Sequence, residues 1–419
     1  MEKLIVQGKN SLKGEVKISG AKNAALPIMA ACLLIEGRCC LKNIPQLTDI
    51  KVMIKVLEEL GAKVQTEENE LMIDASRLMQ EKAPAELVSK LRASVLVLGP
   101  LLARRRKAKV ALPGGCNIGL RPVDLHLRGL SQMGASIRIK DGYIEATANP
   151  SLVGGNIYLD FPSVGATENL LLAACFAKGT TIIKNASRTP EVVDLCSFLQ
   201  KAGVNIKGAG TDTLIVKGKS YLFPANHVII SDRIEAGTFM MAAGITGGEI
   251  LLKGANFEHL EAPILELKNM GMQIEKMDGK ILVKGCFPLK PVQIKTLPHP
   301  GFPTDLQPQL TSLACLAKGE SRIVETIFES RFSHIPELKK MGAKIEQEKT
   351  TIKIKGVPFL KGSQVTAFDI RGGAALVLAG LAATGQTHIL NPQHIDRGYQ
   401  RFEEKLAGLG ANIKRVRFD

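Results

Sequence analysis

Two kinds of residue in this chain are placed to do chemistry. The first is a cysteine inside a glycine-rich run, Leu112-Pro113-Gly114-Gly115-Cys116-Asn117-Ile118-Gly119-Leu120-Arg121-Pro122-Val123-Asp124-Leu125. Glycines so close together let a segment move as a lid. Arg121, five residues after the thiol, can stabilise its thiolate or bind an anion. A spare surface thiol is the alternative reading. The second kind is a series of polar residues at helix starts: Lys22, Arg92, Ser163, Arg233, Thr304-Asp305 and Asp369-Arg371, with a further series near Asp49, Arg121, Glu191, Arg331 and Arg397. A helix N-terminus already carries partial positive charge, so Lys or Arg there is unfavourable unless an anion is present. Capping and surface ion pairs would explain any one of these residues; together they describe a site for a doubly anionic ligand.

Composition narrows the partners. The chain has 419 residues, 55 Lys+Arg against 40 Asp+Glu, a net charge of +15, 4% aromatics, four Tyr and no Trp. Such a charge admits nucleic acid, an anionic membrane surface or small anions. Single-strand binders stack bases on aromatic rings, which are scarce here, so small anions are favoured. The run Arg104-Arg105-Arg106-Lys107-Ala108-Lys109 reads as a solvated helix end. The longest apolar run, Ala24 to Ile35, contains Pro27 and is too short to span a bilayer, and no signal peptide is evident. Eight cysteines without C-x-x-C spacing and seven histidines without ligand spacing point to reduced thiols, a cytoplasmic location and no metal; no nucleotide-cofactor fingerprint is present.

The elements that must position these groups are repeated. A junction of helix, glycine, small residue and Ile/Val recurs at Gly61, Gly134, Gly203, Gly271, Gly342 and Gly410, roughly every 70 residues. Each copy reads as an alanine-rich helix (Ala24 to Ile35, Thr167 to Ala177, Thr238 to Ile245, Ala374 to Ala383), a capping glycine (Gly37, Gly179, Gly248, Gly319, Gly385), a β-branched strand, a second helix, the junction and a hairpin such as Ala135 to Ile139 with Tyr143 to Ala148. Cys32, Cys175, Cys196 and Cys315 read as core. Six copies make an α/β protein arranged as one ring or as two sets of three; the second arrangement gives two domains, 22–229 and a discontinuous 1–21 plus 230–419. The first strand, Lys3 to Val6, completes the last copy's sheet.

Four ordered motifs then carry a resemblance: Ser19-Gly20-Ala21-Lys22-Asn23-Ala24, the Pro-Gly-Gly-Cys lid running into Arg121-Pro122-Val123-Asp124-Leu125-His126, Phe302-Pro303-Thr304-Asp305, and His394-Ile395-Asp396-Arg397-Gly398-Tyr399. From end to end the chain resembles the UDP-N-acetylglucosamine 1-carboxyvinyltransferase family. The resemblance implies an inside-out α/β barrel of two domains, each of three repeats, enclosing the site. It implies transfer of the enolpyruvyl group of phosphoenolpyruvate to the 3-hydroxyl of UDP-N-acetylglucosamine, the first committed step of peptidoglycan synthesis, with phosphate released through a tetrahedral intermediate and no cofactor. By the same resemblance Cys116 protonates the donor and is the target of fosfomycin, and Asp305 is the base. Lys22, Arg121 and Arg397 hold phosphate and carboxylate. Asn23, Arg92, Arg121, Pro122, Val123, Asp124, Leu125, Ser163, Val164, Gly165 and the Ile327 backbone seat the UDP-sugar, with Asp49, Arg331, Asp369 and Arg371 beside them. Thr189 stands where the family commonly has an acid, and Gly372-Gly373 follow Arg371 where alanine is more usual. The rival enzyme is enolpyruvylshikimate-phosphate synthase, which lacks the Pro-Gly-Gly-Cys lid and Arg-Pro-Val-Asp-Leu; the rival of another class is a basic nucleic-acid-binding module.

Overall fold

Each copy of the repeat becomes one four-stranded sheet with two helices. The computed structural model describes residues 2–89, 91–112 and 123–417. All six sheets share one pattern: an edge strand pairs in parallel with the first strand of the copy, which pairs antiparallel with the second strand of the hairpin, which pairs antiparallel with the first. In the first copy the order is Asn226–Val228, Arg38–Lys42, Glu70–Asp74 and Lys63–Glu67. Strands alternate buried and open positions, as in Thr180–Lys184, because one face only is covered.

The chain divides into two compact units. A middle unit holds 20–230 and a split unit holds 2–19 with 231–417, apart from the undescribed residues. Each has its own apolar core. The alanine-rich helices are buried nearly all round: in Ile370–Ala382 every residue from Arg371 to Leu381 is buried. A helix apolar on every face belongs inside, so the helices form the cores and the sheets lie outside them. The second helices are amphipathic; Thr48–Glu59 buries Ile50, Met53, Val56 and Leu57 on one stripe.

The strand Glu2–Gln7 pairs with Gln386–Leu390 and with Asn412–Arg417, completing the last copy's sheet. All six junction glycines have positive φ, between 89° and 107°, which an L side chain adopts only with strain. The expected first-helix caps are corrected: the helical segments end on Ile35, Cys175, Cys315 and Ala383, so Gly37, Gly179, Gly319 and Gly385 lie beyond the caps, at positive φ ahead of the next strand, and Gly248 lies one residue past its cap. The left-handed cap of Arg233–Thr246 is Gly247, at φ 61°, while a Cβ on Gly248 would lie 2.2 Å from the Leu12 carbonyl oxygen. The first alanine-rich helix also runs differently: it spans Lys22–Ala31 and tightens into a 3-10 turn over Cys32–Leu34. The thiols of Cys32, Cys175 and Cys315 donate to the carbonyls of Ile28, Leu171 and Thr311 at 3.2–3.3 Å, a shared device at three helix ends.

The basic run is not simply a solvated end. Arg104 is inserted against the backbone, donating to Leu33 O at 2.8 Å and Ala75 O at 2.6 Å. Arg105 and Lys107 pair with Glu81, and Lys109 pairs with Glu145. No helix among the described residues is long and apolar enough to cross a membrane.

Candidate active site

In the middle unit, Gly20 brings the first motif close to its neighbour: a Cβ there would sit 1.7 Å from Asn43 O. The Ala21 N–H donates to Ile230 O at 2.7 Å, and the helix then opens with Lys22. Lys22 is buried, and its Nζ lies 2.8 Å from Asp49 Oδ2, in the first turn of Thr48–Glu59. A cation at a helix N-terminus is thereby neutralised by a carboxylate from the next helix. Asn23 is exposed beside it.

Arg92 opens the 3-10 turn Arg92–Val97, which packs against both Lys22–Ala31 and Val164–Ala174. Asn169 fixes that packing: its Oδ1 accepts from Gly99 N at 2.7 Å and its Nδ2 donates to Val95 O at 3.1 Å. The same amide lies 3.1 Å from His126 Nδ1, and a Cβ on Gly165 would stand 3.3 Å from the His126 ring. Thus the start of Asp124–Gln132, with Val123, Asp124 and Leu125, lies beside the start of Val164–Ala174, where Ser163 caps by accepting from Ala166 N. Val164 is exposed at that end. Thr189 is buried as the N-cap of Pro190–Lys201, its Oγ1 3.5 Å from Ser187 Oγ. Cys116, Arg121 and Pro122 lie outside the described residues, and so do the lid and its motion.

In the split unit, Asp305 sits in the 3-10 turn Thr304–Leu306 that leads into Gln307–Ala314. Its Oδ1 accepts from Arg331 Nη1 at 2.6 Å, and its Oδ2 accepts from Arg371 Nη2 at 3.0 Å and Nε at 3.3 Å. Burial would raise this carboxyl, but the two guanidinium groups outweigh it and hold Asp305 well below the usual carboxylate range. Asp369 caps Ile370–Ala382 by accepting from the N–H groups of Arg371 and Gly372 at 2.9 Å, and it accepts from Ser333 Oγ at 2.6 Å. A Cβ on Gly372 would lie 2.8 Å from Asp369 Oδ2, so this cap is tight where the chain has glycine. Arg397 closes the 3-10 turn Pro392–Arg397, which packs on Ile370–Ala382; Asp396 anchors that turn through Arg415 at 2.6 Å.

Several participants were not singled out in the sequence. Glu325 is buried and organises the Asp305 turn, accepting from Thr296 Oγ1 and Thr304 Oγ1 at 2.8 Å and from the N–H groups of Ile327 at 2.8 Å and Phe328 at 3.2 Å. The Ile327 N–H is therefore committed to Glu325. Comparison of copies could have found Glu325: the same post-strand position is Asn43, Asn185, Gly254 or Asn391, all at positive φ, in four other copies. Tyr399 lies under Arg371, 5.3 Å from its guanidinium carbon, and its hydroxyl meets Thr238 and Gln309 at 2.9 Å. His334 is buried with no hydrogen-bond partner on either ring nitrogen.

Acids and fixed cations at the inner-helix ends of a six-copy, helix-inside fold define the enolpyruvyl-transferase class. The chain matches the family described as EPSP synthase (3-phosphoshikimate 1-carboxyvinyltransferase) over residues 6–406. The solved enolpyruvyl transferase NikO from Streptomyces tendae superposes with a TM-score of 0.91 at 26% identity, covering 100% of this chain and 99% of that one. The fold is the inside-out α/β barrel. Within the class, the chain is 52% identical to UDP-N-acetylglucosamine 1-carboxyvinyltransferase 2 of Carboxydothermus hydrogenoformans, over 99% of this chain and 100% of that one. It is 52% identical to UDP-N-acetylglucosamine 1-carboxyvinyltransferase 1 of Caldanaerobacter subterraneus, over 99% of each. The chain belongs to the UDP-N-acetylglucosamine 1-carboxyvinyltransferase family.

Proposed function

We propose that this protein transfers the enolpyruvyl group of phosphoenolpyruvate to the 3-hydroxyl of UDP-N-acetylglucosamine, opening peptidoglycan synthesis in the cytoplasm. The observation that carries the reading is Asp305: an ionised acid held among buried arginines, in a chain half identical to enzymes named for this transfer. The 3-hydroxyl gives its proton to Asp305 while its oxygen bonds to C2 of the donor, and a proton from an acid, Cys116 in this reading, goes to C3. The tetrahedral adduct then loses phosphate from C2 and a proton from C3, restoring the double bond. Lys22, Arg121 and Arg397 serve the donor's phosphate and carboxylate, together with Arg331 and Arg371. Asn23, Arg92, the 121–125 stretch, Ser163 to Gly165 and the Ile327 backbone serve the UDP-sugar.

Phosphate release is the test. It is expected with phosphoenolpyruvate and UDP-N-acetylglucosamine, and not when shikimate 3-phosphate is the acceptor. Release only with the shikimate compound would move the chain to the rival reaction.

A further inference from the structure

In the ligand-free protein Asp305 is gripped too well to act as a base. Each of its oxygens accepts from a different arginine, one from Arg331 and one from Arg371. A carboxylate whose two oxygens both face guanidinium groups is stabilised as the anion, and its tendency to take a proton from a sugar hydroxyl falls accordingly. The arginines cannot relieve this by deprotonating, since a guanidinium keeps its proton in proteins. Basicity returns only when they are given another anion.

Two features indicate that they can take one. Arg331 Nε and Arg371 Nη1 are buried and have no hydrogen-bond partner, although the side chains are only 6% and 5% exposed. Buried donors of a charged group are costly to leave unmatched. Asp305 is the open member of the trio, at 23%. Among the described residues, the nearby acids are already engaged. Asp369 is committed to its helix cap and Ser333, and Glu325 to Thr296, Thr304 and two N–H groups. Tyr399, buried under Arg371, is pushed up by burial and stays neutral. His334 is pushed down by burial and stays neutral as well. Asp232, whose charge also acts on Arg371, accepts from the N–H groups of Ile234 and Glu235.

We propose that Arg331 and Arg371 mask Asp305 in the ligand-free protein, and that the carboxylate or phosphate of the incoming donor unmasks it by taking over the two guanidinium groups. This rests on the enolpyruvyl-transfer reading above. One anion replaces another, so no buried cation is stranded and the exchange avoids the penalty of breaking a buried pair. It also sets an order: the base gains strength only once the donor is in place, so a sugar hydroxyl is not activated in its absence.

The test is carboxyl NMR on the full-length protein labelled with carbon-13 in aspartate side chains, the Asp305 signal being the one lost in Asp305→Asn. The probe is phospholactate, the saturated analogue of phosphoenolpyruvate, with UDP-N-acetylglucosamine present; calorimetry reports whether it binds. Without phospholactate the Asp305 signal should be flat from pH 8 to about 5. With it bound, the midpoint should rise by about one pH unit or more and enter that window. Arg371→Gln, which keeps an amide donor but removes the charge, should raise the midpoint in the free protein. Bound phospholactate with an unmoved Asp305 midpoint would overturn the masking while leaving the reaction assignment intact. Failure of phospholactate to bind would overturn the donor site itself, and the masking with it.

Discussion

At residue scale the charged groups of both units are stored in pairs, Lys22 with Asp49 and Asp305 with two arginines, and this shapes what substitution does. Asp305→Asn is expected to lower kcat by about 10²-fold or more, the usual scale for losing a general base, with UDP-sugar affinity nearly unchanged. Asp305→Ala should lose the same activity and more stability, because it also removes the acceptor from two buried guanidinium groups; thermal unfolding of the two variants separates the effects. Asp49→Ala removes the carboxylate 2.8 Å from the buried Lys22 ammonium and is expected to lower stability, read by denaturant unfolding. His334 gives a pH prediction. Burial holds its imidazole below the ordinary value of about 6.5, against the opposing charge of Asp369 and with a smaller contribution from Arg331. As pH falls below 6.5 the unfolded chain takes up a proton that the folded chain refuses, so stability is lost with falling pH until the lowered value is passed. The buried carboxyls of Glu168 and Glu235 are raised by burial and act in the opposite sense, but they are common to wild type and variant. His334→Leu should therefore lose less stability than wild type between pH 7 and 5 in urea unfolding. An equal loss would show that His334 titrates normally.

At the scale of elements, the junction glycines and the close-contact glycines look alike in sequence and differ physically. Gly342 has φ 90° and nothing within 4 Å of a built Cβ, whereas Gly248 has an ordinary φ and the Leu12 backbone 2.2 Å away. Gly342→Ala is expected to cost about 1 kcal/mol in backbone strain and Gly342→Asn less, since asparagine tolerates the left-handed region. Gly248→Ala should cost more than either, because a backbone oxygen cannot step aside; unfolding midpoints of the three variants check the ranking. This contrast also marks what was legible beforehand. The repeat showed because six second helices end on the same positive-φ glycine, a local demand that residue type reports directly. The cap at Gly247 was misplaced by one residue because adjacent glycines with different duties carry the same letter. The cluster of Asp305, Arg331 and Arg371 was named residue by residue, but its pairing was not readable. It depends on three elements far apart in the chain, and no local pattern encodes that distance. Glu325 was missed although the copies flag it, since a buried acid after a strand resembles a solvated turn until its four donors are known.

At whole-molecule scale each unit is a closed exchange of strands. In the middle unit the parallel edge strand of each sheet comes from the end of the preceding copy: Lys82–Ala83 serves Lys107–Ala111, Asn156–Tyr158 serves Thr180–Lys184, and Asn226–Val228 returns to Arg38–Lys42. The split unit does the same with Gln293–Lys295, Gln364–Thr366 and Lys13–Lys17, the last pairing with Glu249–Lys253. The sixth hairpin alone is divided, its two strands being Asn412–Arg417 and Glu2–Gln7, paired antiparallel from Arg417 against Glu2 to Asn412 against Gln7. Five other copies join the equivalent strands through a polar turn, such as Asp278-Gly279 between Gln273–Met277 and Lys280–Lys284. The break is therefore a matter of connectivity and not of packing, and it can be moved. A circular permutant that connects the strand Asn412–Arg417 to Glu2–Gln7 through a short turn and opens between Asp278 and Gly279 retains every described strand pairing of the split unit. It is expected to fold and to keep phosphate release within a few-fold of the parent, since permutation is tolerated at exposed turns. Opening instead inside Gln386–Leu390, which pairs on both sides with Gln364–Thr366 and Glu2–Gln7, should abolish folding by dividing a central strand of its sheet. Equal behaviour of the two permutants, judged by circular dichroism and unfolding cooperativity, would mean that the sixth sheet is not needed to hold the split unit together.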